Sequence, residues 1–201
     1  MARTYSSELR AERARLNRAA VVDVAREMFI ERGWVATTMS DVASAAGLTR
    51  QTVYQQFDGK LTLLDTCIDL SSSDGANSPV RELPDYVKMG EGAVEDRLAA
   101  GARWLRGAHE RSAAIQYVLD EAAVVDDVAA GRLAERERTR WDEVRWASGL
   151  ILGSPPPDAV VDAMWMLTGR SVWLRLTRER GWTPEQWESW FVRHARVELR
   201  C

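Results

Sequence analysis

Only two cysteines occur in the 201 residues, Cys67 and the final Cys201. A pair placed this way makes no disulfide framework, and the expectation is one buried thiol and one free one. Histidine is equally scarce: His109 and His194 lie far apart with no cysteine beside either, so no zinc spacing exists and no metal or cofactor is expected. The apolar runs are short and interrupted, which excludes a bilayer-spanning helix. The opening MARTYSSELRAERARLNR has no apolar core of the signal-peptide kind. The membrane is therefore not an expected partner, and the cytoplasm is the expected compartment. Also missing are a glycine-rich phosphate loop and a nucleophile elbow. The acids at Asp126-Asp127 and from Glu135 to Glu143 read as solvated helix surface, so no enzyme is expected. Neither strand alternation nor an internal repeat is found, which leaves an all-α fold.

What is present is ordinary globular composition, with 46% hydrophobic and 28% charged residues. The net charge is −3, but residues 1–60 carry +2 and the remainder −5. Arg3, Arg10, Arg13, Arg15 and Arg18 concentrate the positive charge early. That asymmetry fits a nucleic-acid-binding end and an acidic remainder.

Apolar periodicity predicts a first helix over 7–32, with Ser7 as its cap, Val21, Val24, Ala25, Met28 and Phe29 on one face, and Gly33 as its end. Thr38 is the expected cap of the next helix and Asp41 complements its positive end. Met39, Val42, Ala43 and Ala46 form a narrow stripe that permits close helix approach. Gly47 supplies a sharp turn, Leu48 fills it, and Thr49 caps a short third helix holding Val53 and Phe57 inside. A linking helix follows over 60–71. Residues 71–92 have no helical period and mark the expected boundary. Beyond it, helices are expected over 93–109, 112–128, 132–151 and 158–180, with Gly153 to Pro157 as a break. A last helix starts at Thr183-Pro184-Glu185-Gln186. The expected domains are thus residues 1–60, with the linking helix 60–71, and residues 72–201.

Helix, tight turn and helix over Met39 to Phe57 have the parts a helix-turn-helix requires: small residues at the crossing, a glycine turn, and long polar side chains outside. The exposed face is Thr49, Arg50, Gln51, Thr52, Tyr54, Gln55 and Gln56. Arginine suits the two acceptors of guanine, and glutamine suits adenine. Thr52 and Tyr54 suit phosphates, and Lys60 opens a helix whose N–H groups are expected to help it hold one more.

From Arg18 to Leu64 the sequence resembles the TetR family of transcriptional regulators. The residues that carry the likeness are Phe29-Ile30-Glu31-Arg32-Gly33-Trp34, Thr37-Thr38, Asp41-Val42-Ala43, Ala46-Gly47-Leu48-Thr49, Thr52-Val53-Tyr54, and Phe57-Asp58-Gly59-Lys60 with Leu63-Leu64. Trp34 and Gln55-Gln56 depart from its common pattern, which bears on the operator read. The resemblance implies an N-terminal three-helix DNA-binding domain and a C-terminal helical domain for ligand binding and dimerisation. It implies a homodimer on a double-stranded palindromic operator, repression relieved by a small-molecule effector, and DNA contacts at Thr38, Ser40, Thr49, Arg50, Gln51, Thr52, Tyr54, Gln55 and Lys60. The dimer contact is implied on the helices 158–180 and 183–199.

Nine tryptophans are present, eight of them after Leu64. Trp173, Trp187, Trp190 and Phe191 are the aromatic surface expected at the dimer contact. Trp104, Tyr117, Asp120, Trp141, Trp146 and Trp165 are the expected ligand residues, and the negative charge of Asp120, Glu121 and Asp142 suits a lipophilic cation held by aromatic faces. Two other readings compete: a non-enzymatic helical protein-interaction bundle, and an activator without a small-molecule ligand.

Overall fold

The computed structural model describes residues 2–73 and 80–201, with the side chains of residues 2–10 and of Asp85 outside the description. Every regular element among the described residues is helical. The chain divides into two compact units, residues 1–69 and 70–201.

In the amino-terminal unit, α1 spans Ala2–Ala36, α2 Met39–Ala45, α3 Arg50–Tyr54 and α4 Lys60–Ser72, the last crossing the division between the units. The helix already runs at Ser7, so that residue is not its cap, and its side chain lies outside the described ones. Gly33 interrupts α1 with φ 76° and ψ −178°, backbone that glycine alone takes readily. The interruption turns the chain so that the Thr37 hydroxyl, fully buried, donates to the carbonyls of Met28 (3.1 Å) and Gly33 (2.9 Å). Val21, Ala25, Met28 and Phe29 of α1 share the core with Val42, Val53, Phe57, Leu63, Leu64 and Ile68.

Cys67 is sealed in that unit, with its thiol 3.6 Å from the Val22 carbonyl. Burial pushes the thiol up to about 12, and Asp23 adds to this against the opposing pull of Arg26. Because the thiolate is the reactive form, a thiol reagent at pH 8 is expected to label Cys201 alone in native protein and both cysteines in denaturant. Peptide mass mapping checks this; native labelling of Cys67 would contradict its burial.

In the carboxyl-terminal unit, α5 is Pro84–Val87, α6 Val94–Val125, α7 Asp127–Leu152, α8 Asp158–Leu167, α9 Arg170–Leu174 and α10 Pro184–Leu199. Residues 80–90, expected without helical order, form short turns because Tyr86 and Met89 are apolar anchors buried in the core of this unit. Residues 74–79 of that expected boundary lie outside the described ones. The two helices expected over 93–128 are one, α6, and Asp126 caps α7 by accepting from the N–H groups of Val128 and Ala129. Gly153 closes α7 in the left-handed conformation, φ 70°. Thr183 and Gln186 form the reciprocal capping box of α10 with Pro184 in the first turn.

The helix expected over 158–180 is broken at Thr168-Gly169. Gly169 is extended there, φ −70° and ψ 137°. The Gly169 N–H turns to the Met166 carbonyl (3.1 Å), and the Trp165 carbonyl it would have served accepts instead from Arg140 Nη1 (2.9 Å), while Met164 keeps the Thr168 N–H (2.9 Å) and accepts the Thr168 hydroxyl as well (2.8 Å). A π-helical turn follows over Arg175–Glu179.

Candidate nucleic-acid interface

The turn between α2 and α3 is built from backbone bonds that require its sequence. Gly47 sits at φ 68°; its N–H donates to Ser44, and the Leu48 N–H donates to Ala43 (2.9 Å). That pair of bonds is the glycine-ended motif that satisfies the last carbonyls of a helix. Thr38 caps α2, accepting from the Asp41 N–H (3.2 Å) while its hydroxyl donates to the Asp41 carboxylate (2.7 Å). Thr49 caps α3, accepting from the Thr52 N–H (3.2 Å). Each such cap is worth about 1 kcal/mol to its helix. Val42, Ala43 and Val53 face inward, which fixes the rotation of both helices.

The outer surface that results carries Thr38, Ser40, Thr49, Arg50, Gln51, Tyr54 and Gln55, all exposed. Arg50 lies over the Tyr54 ring at 5.3 Å, so the guanidinium is held along α3 before any partner arrives. Thr52 is half-buried, and its hydroxyl pairs with that of Thr49 at 2.8 Å. Lys60 corrects the expectation that its charge is held out to a phosphate. Its ammonium donates to the carbonyls of Trp34 (2.7 Å) and Thr37 (3.0 Å) and lies 4.0 Å over the Trp34 ring. It fastens the start of α4 to the end of α1. Two positioning residues escaped the sequence reading: Thr37, described above, and Arg18. The latter donates to the Gln56 carbonyl (2.7 Å) and stacks 4.2 Å over Phe57, steadying the segment just after α3.

Aromatic residues of the carboxyl-terminal unit are distributed differently from expectation. Trp173, Trp187 and Phe191 are 5%, 0% and 3% exposed. They are the chain's own core and offer almost no surface to a second copy. His109 of α6 stacks on Trp173 (5.4 Å) and meets Trp187 edge-on (5.3 Å), while Trp187 stacks on Phe191 (5.3 Å). Trp190 is half-buried and packs against Trp182 and His194.

Nor are the six expected ligand residues alike. Tyr117 and Trp146 are exposed, and Arg81 covers the Trp146 ring at 4.5 Å. Trp141 donates its ring N–H to Asp162 (2.8 Å) beneath Arg145. Asp120 is bound by Arg170 through two contacts, at 2.5 Å and 2.8 Å, and Arg170 also holds Glu137 at 2.5 Å. That pairing neutralises Asp120, one of the acids expected to attract a lipophilic cation. Trp104 and Trp165 do carry buried ring nitrogens without a hydrogen-bond partner among the described residues, as do Trp187 and, at Nε2, His109.

Burial pushes the His109 ring down to about 3, with the positive charges of Arg140 and Arg170 acting the same way against a hydrogen bond to the Thr168 backbone. The folded ring is therefore neutral where the unfolded one, with its ordinary value of 6.5, takes a proton. Stability attributable to this group is complete above 6.5 and falls as pH drops below it towards 3. His109→Phe is expected to flatten the thermal midpoint between pH 6.5 and 4.5 relative to wild type. Parallel curves for the two proteins would show that the ring is solvated.

Taken together, α2, the glycine turn and α3 define a helix-turn-helix domain with its reading face exposed. Residues 21–67 match the model of the tetR family of bacterial regulatory proteins. Over 50 residues the chain is 48% identical to the transcriptional regulator AlkX of Mycobacterium tuberculosis, covering 25% of this chain and 23% of that one. It is 36% identical over 58 residues to the regulator TtgR of Pseudomonas putida, covering 29% and 28%. It is 42% identical over 48 residues to the repressor KstR2 of Rhodococcus jostii, covering 24% of each. These matches span only about a quarter of the relatives' lengths. A transcriptional regulator from Rhodococcus sp. Rha1 shares the fold with TM-score 0.65 at 13% identity, over 91% of this chain and 96% of that one. A Rhodococcus protein assigned to the TetR-family regulators gives 0.64 at 18%, over 91% and 98%. The amino-terminal domain belongs to the tetR family, and the whole chain has the all-helical fold of those two regulators.

Proposed function

We propose that this chain is a DNA-binding transcriptional regulator that acts as a homodimer on a palindromic operator, as a repressor released by a small-molecule effector. The observation that carries the DNA reading is the α3 face: Arg50, Gln51 and Gln55 are exposed on a helix whose start, turn and rotation are each fixed by named bonds. Thr38, Ser40, Thr49 and Tyr54 border that face and suit phosphate contacts. A helix so braced is the element that enters a major groove.

The dimer reading is supported by α8 and α10, which pack on each other and leave apolar surface outside. Met166 is 60% exposed and Val197 72%, with Trp190 half-buried between its ring neighbours. These residues, rather than Trp173, Trp187 and Phe191, are the ones to cover against a second copy.

Support for the effector comes from the unpartnered ring nitrogens of Trp104, Trp165, Trp187 and His109. Buried polar groups lacking partners are costly and few. His109, neutral and donating to the Thr168 backbone, leaves Nε2 as an acceptor, and the acids Asp120 and Glu137 are paired, so these groups suit an uncharged ligand that accepts from the indole N–H groups and donates to His109. Such a ligand changes DNA affinity only as far as it prefers one state of the protein.

A gel-shift series with genomic fragments at rising salt tests the DNA reading. Binding at low salt that weakens steeply as salt rises is expected of phosphate contacts. No shift even at low salt would favour the protein-interaction bundle instead.

A further inference from the structure

The carboxyl end of α3 is finished by a residue from another helix. Arg18 of α1 donates from Nη1 to the Gln56 carbonyl (2.7 Å), and its guanidinium lies 4.2 Å over the Phe57 ring. Gln56 directly follows Gln55, the residue that caps α3. Its own side chain turns inward, with Oε1 sealed from solvent. Phe57 is buried, so a cation rather than an apolar side chain covers one face of a core ring. Past Gln55, the polar group beside the reading helix is therefore Arg18, 38 residues before Gln56 in the chain.

Two features set this arginine apart from one that only braces a loop. It is exposed, and among the described residues its bond to Gln56 is its only hydrogen bond and no carboxylate pairs with it. Its basic neighbours are committed elsewhere: Arg15 is paired with Glu12 at 2.6 Å, and Lys60 is folded onto the carbonyls of Trp34 and Thr37.

The second feature is the shortness of α3. From Arg50 to Gln56 the chain advances roughly 9 Å, at about 1.5 Å per residue. The major groove is about 12 Å wide between its phosphate walls. A helix this short that enters the groove keeps both of its ends beside the backbone. Its carboxyl end presents carbonyl oxygens, which repel phosphate. Arg18 converts that end into a donor. One N–H satisfies the carbonyl, and the rest of the planar fork retains donors for a phosphate.

We propose that Arg18 is a phosphate-binding residue of the DNA interface, fastened to the carboxyl end of α3 and holding the duplex backbone there through its remaining donors. This rests on the DNA-binding reading of α3. Because it contacts phosphate and no base, Arg18 sets the seating of α3 without favouring a sequence.

The test uses the full chain, DNA that wild type selects from a random double-stranded pool, and the variants Arg18→Lys, Arg18→Gln and Arg18→Ala. The position is exposed and all three replacements favour helix, so the fold is kept. Lysine keeps the charge. Glutamine keeps a donor for the Gln56 carbonyl without the charge, and alanine keeps neither. Affinity is measured from about 50 to 200 mM salt, and its salt dependence should follow the charge. In Arg18→Gln and Arg18→Ala the slope of log K against log salt should shrink by about 0.9 per protomer, so that affinity falls about 3.5-fold less across this range. Arg18→Lys should keep the wild-type slope. Arg18→Gln should prefer the selected sequence over scrambled DNA by the wild-type factor. A residue that only braces the segment gives another pattern: the wild-type slope in all three variants, with affinity lowest for alanine. That pattern, or wild-type slope and affinity throughout, would overturn the phosphate contact while leaving the α3 reading intact. Failure of wild type to select any DNA would overturn both.

Discussion

Replacing Arg170 by alanine is expected to destabilise the carboxyl-terminal unit by about 3 kcal/mol, near the low end for breaking a buried ion pair. Its thermal midpoint should fall by roughly 6–12 °C. Arg170 stands at the start of α9, just after the break that ends α8, and its side chain is 11% exposed. It bridges Asp120 of α6 and Glu137 of α7, and Glu137 is shared with Arg140 at 2.8 Å. One guanidinium therefore ties together three helices that are distant in sequence. Its removal leaves Asp120 without this cation and Glu137 with only one. Burial raises the Glu137 carboxyl, but Arg140 and Arg170 outweigh that and hold it below the ordinary value of 4.5. Its contribution is thus present above 4.5 and lost as pH falls below, so the gap between variant and wild type should narrow in acid. Thermal unfolding at pH 7 and pH 4 measures both effects. Equal midpoints at pH 7 would mean that water screens the cluster and that it contributes little.

Replacing Arg50 by alanine should leave the fold intact and weaken binding to the preferred operator by roughly 1–3 kcal/mol, about 5- to 150-fold. Arg50 is the first residue of α3, exposed, and aligned over Tyr54. A guanidinium there presents parallel donors to the two acceptors on the major-groove edge of guanine. Discrimination at one base pair of each half-site should relax while the others hold. Competition binding with single-base operator variants measures this. A uniform loss at all positions would place Arg50 on phosphate instead, and no loss would displace α3 from the groove.

Local structure was legible in the sequence because short-range chemistry fixes it. Thr38, Gly47 and Thr49 bond to groups within five residues, so caps and turn could be placed from residue type alone. The Thr183 to Gln186 box is the same case. What escaped depended on partners far along the chain. Lys60 looks like an exposed phosphate ligand until the carbonyls of Trp34 and Thr37, 26 and 23 residues earlier, are brought beneath it. The helix over 158–180 looks continuous because the donor that takes the Trp165 carbonyl is Arg140, 25 residues away. Asp120 looks like a free acid until Arg170, 50 residues on, reaches it. Tryptophans carry the same ambiguity: Trp187 and Trp190 lie one turn apart on α10, and only packing decides that the first is core and the second half-exposed. Periodicity gives the face a residue occupies, not what covers that face.

The central claim is that two copies of α3 read two half-sites of one duplex. Selection of bound fragments from a random double-stranded pool tests it most directly. The account predicts enrichment of an inverted repeat whose half-sites are centred about 10 base pairs apart or a multiple of that, with enrichment abolished by Arg50→Ala. Recovery of no common sequence, or of a single unrepeated site, would contradict it.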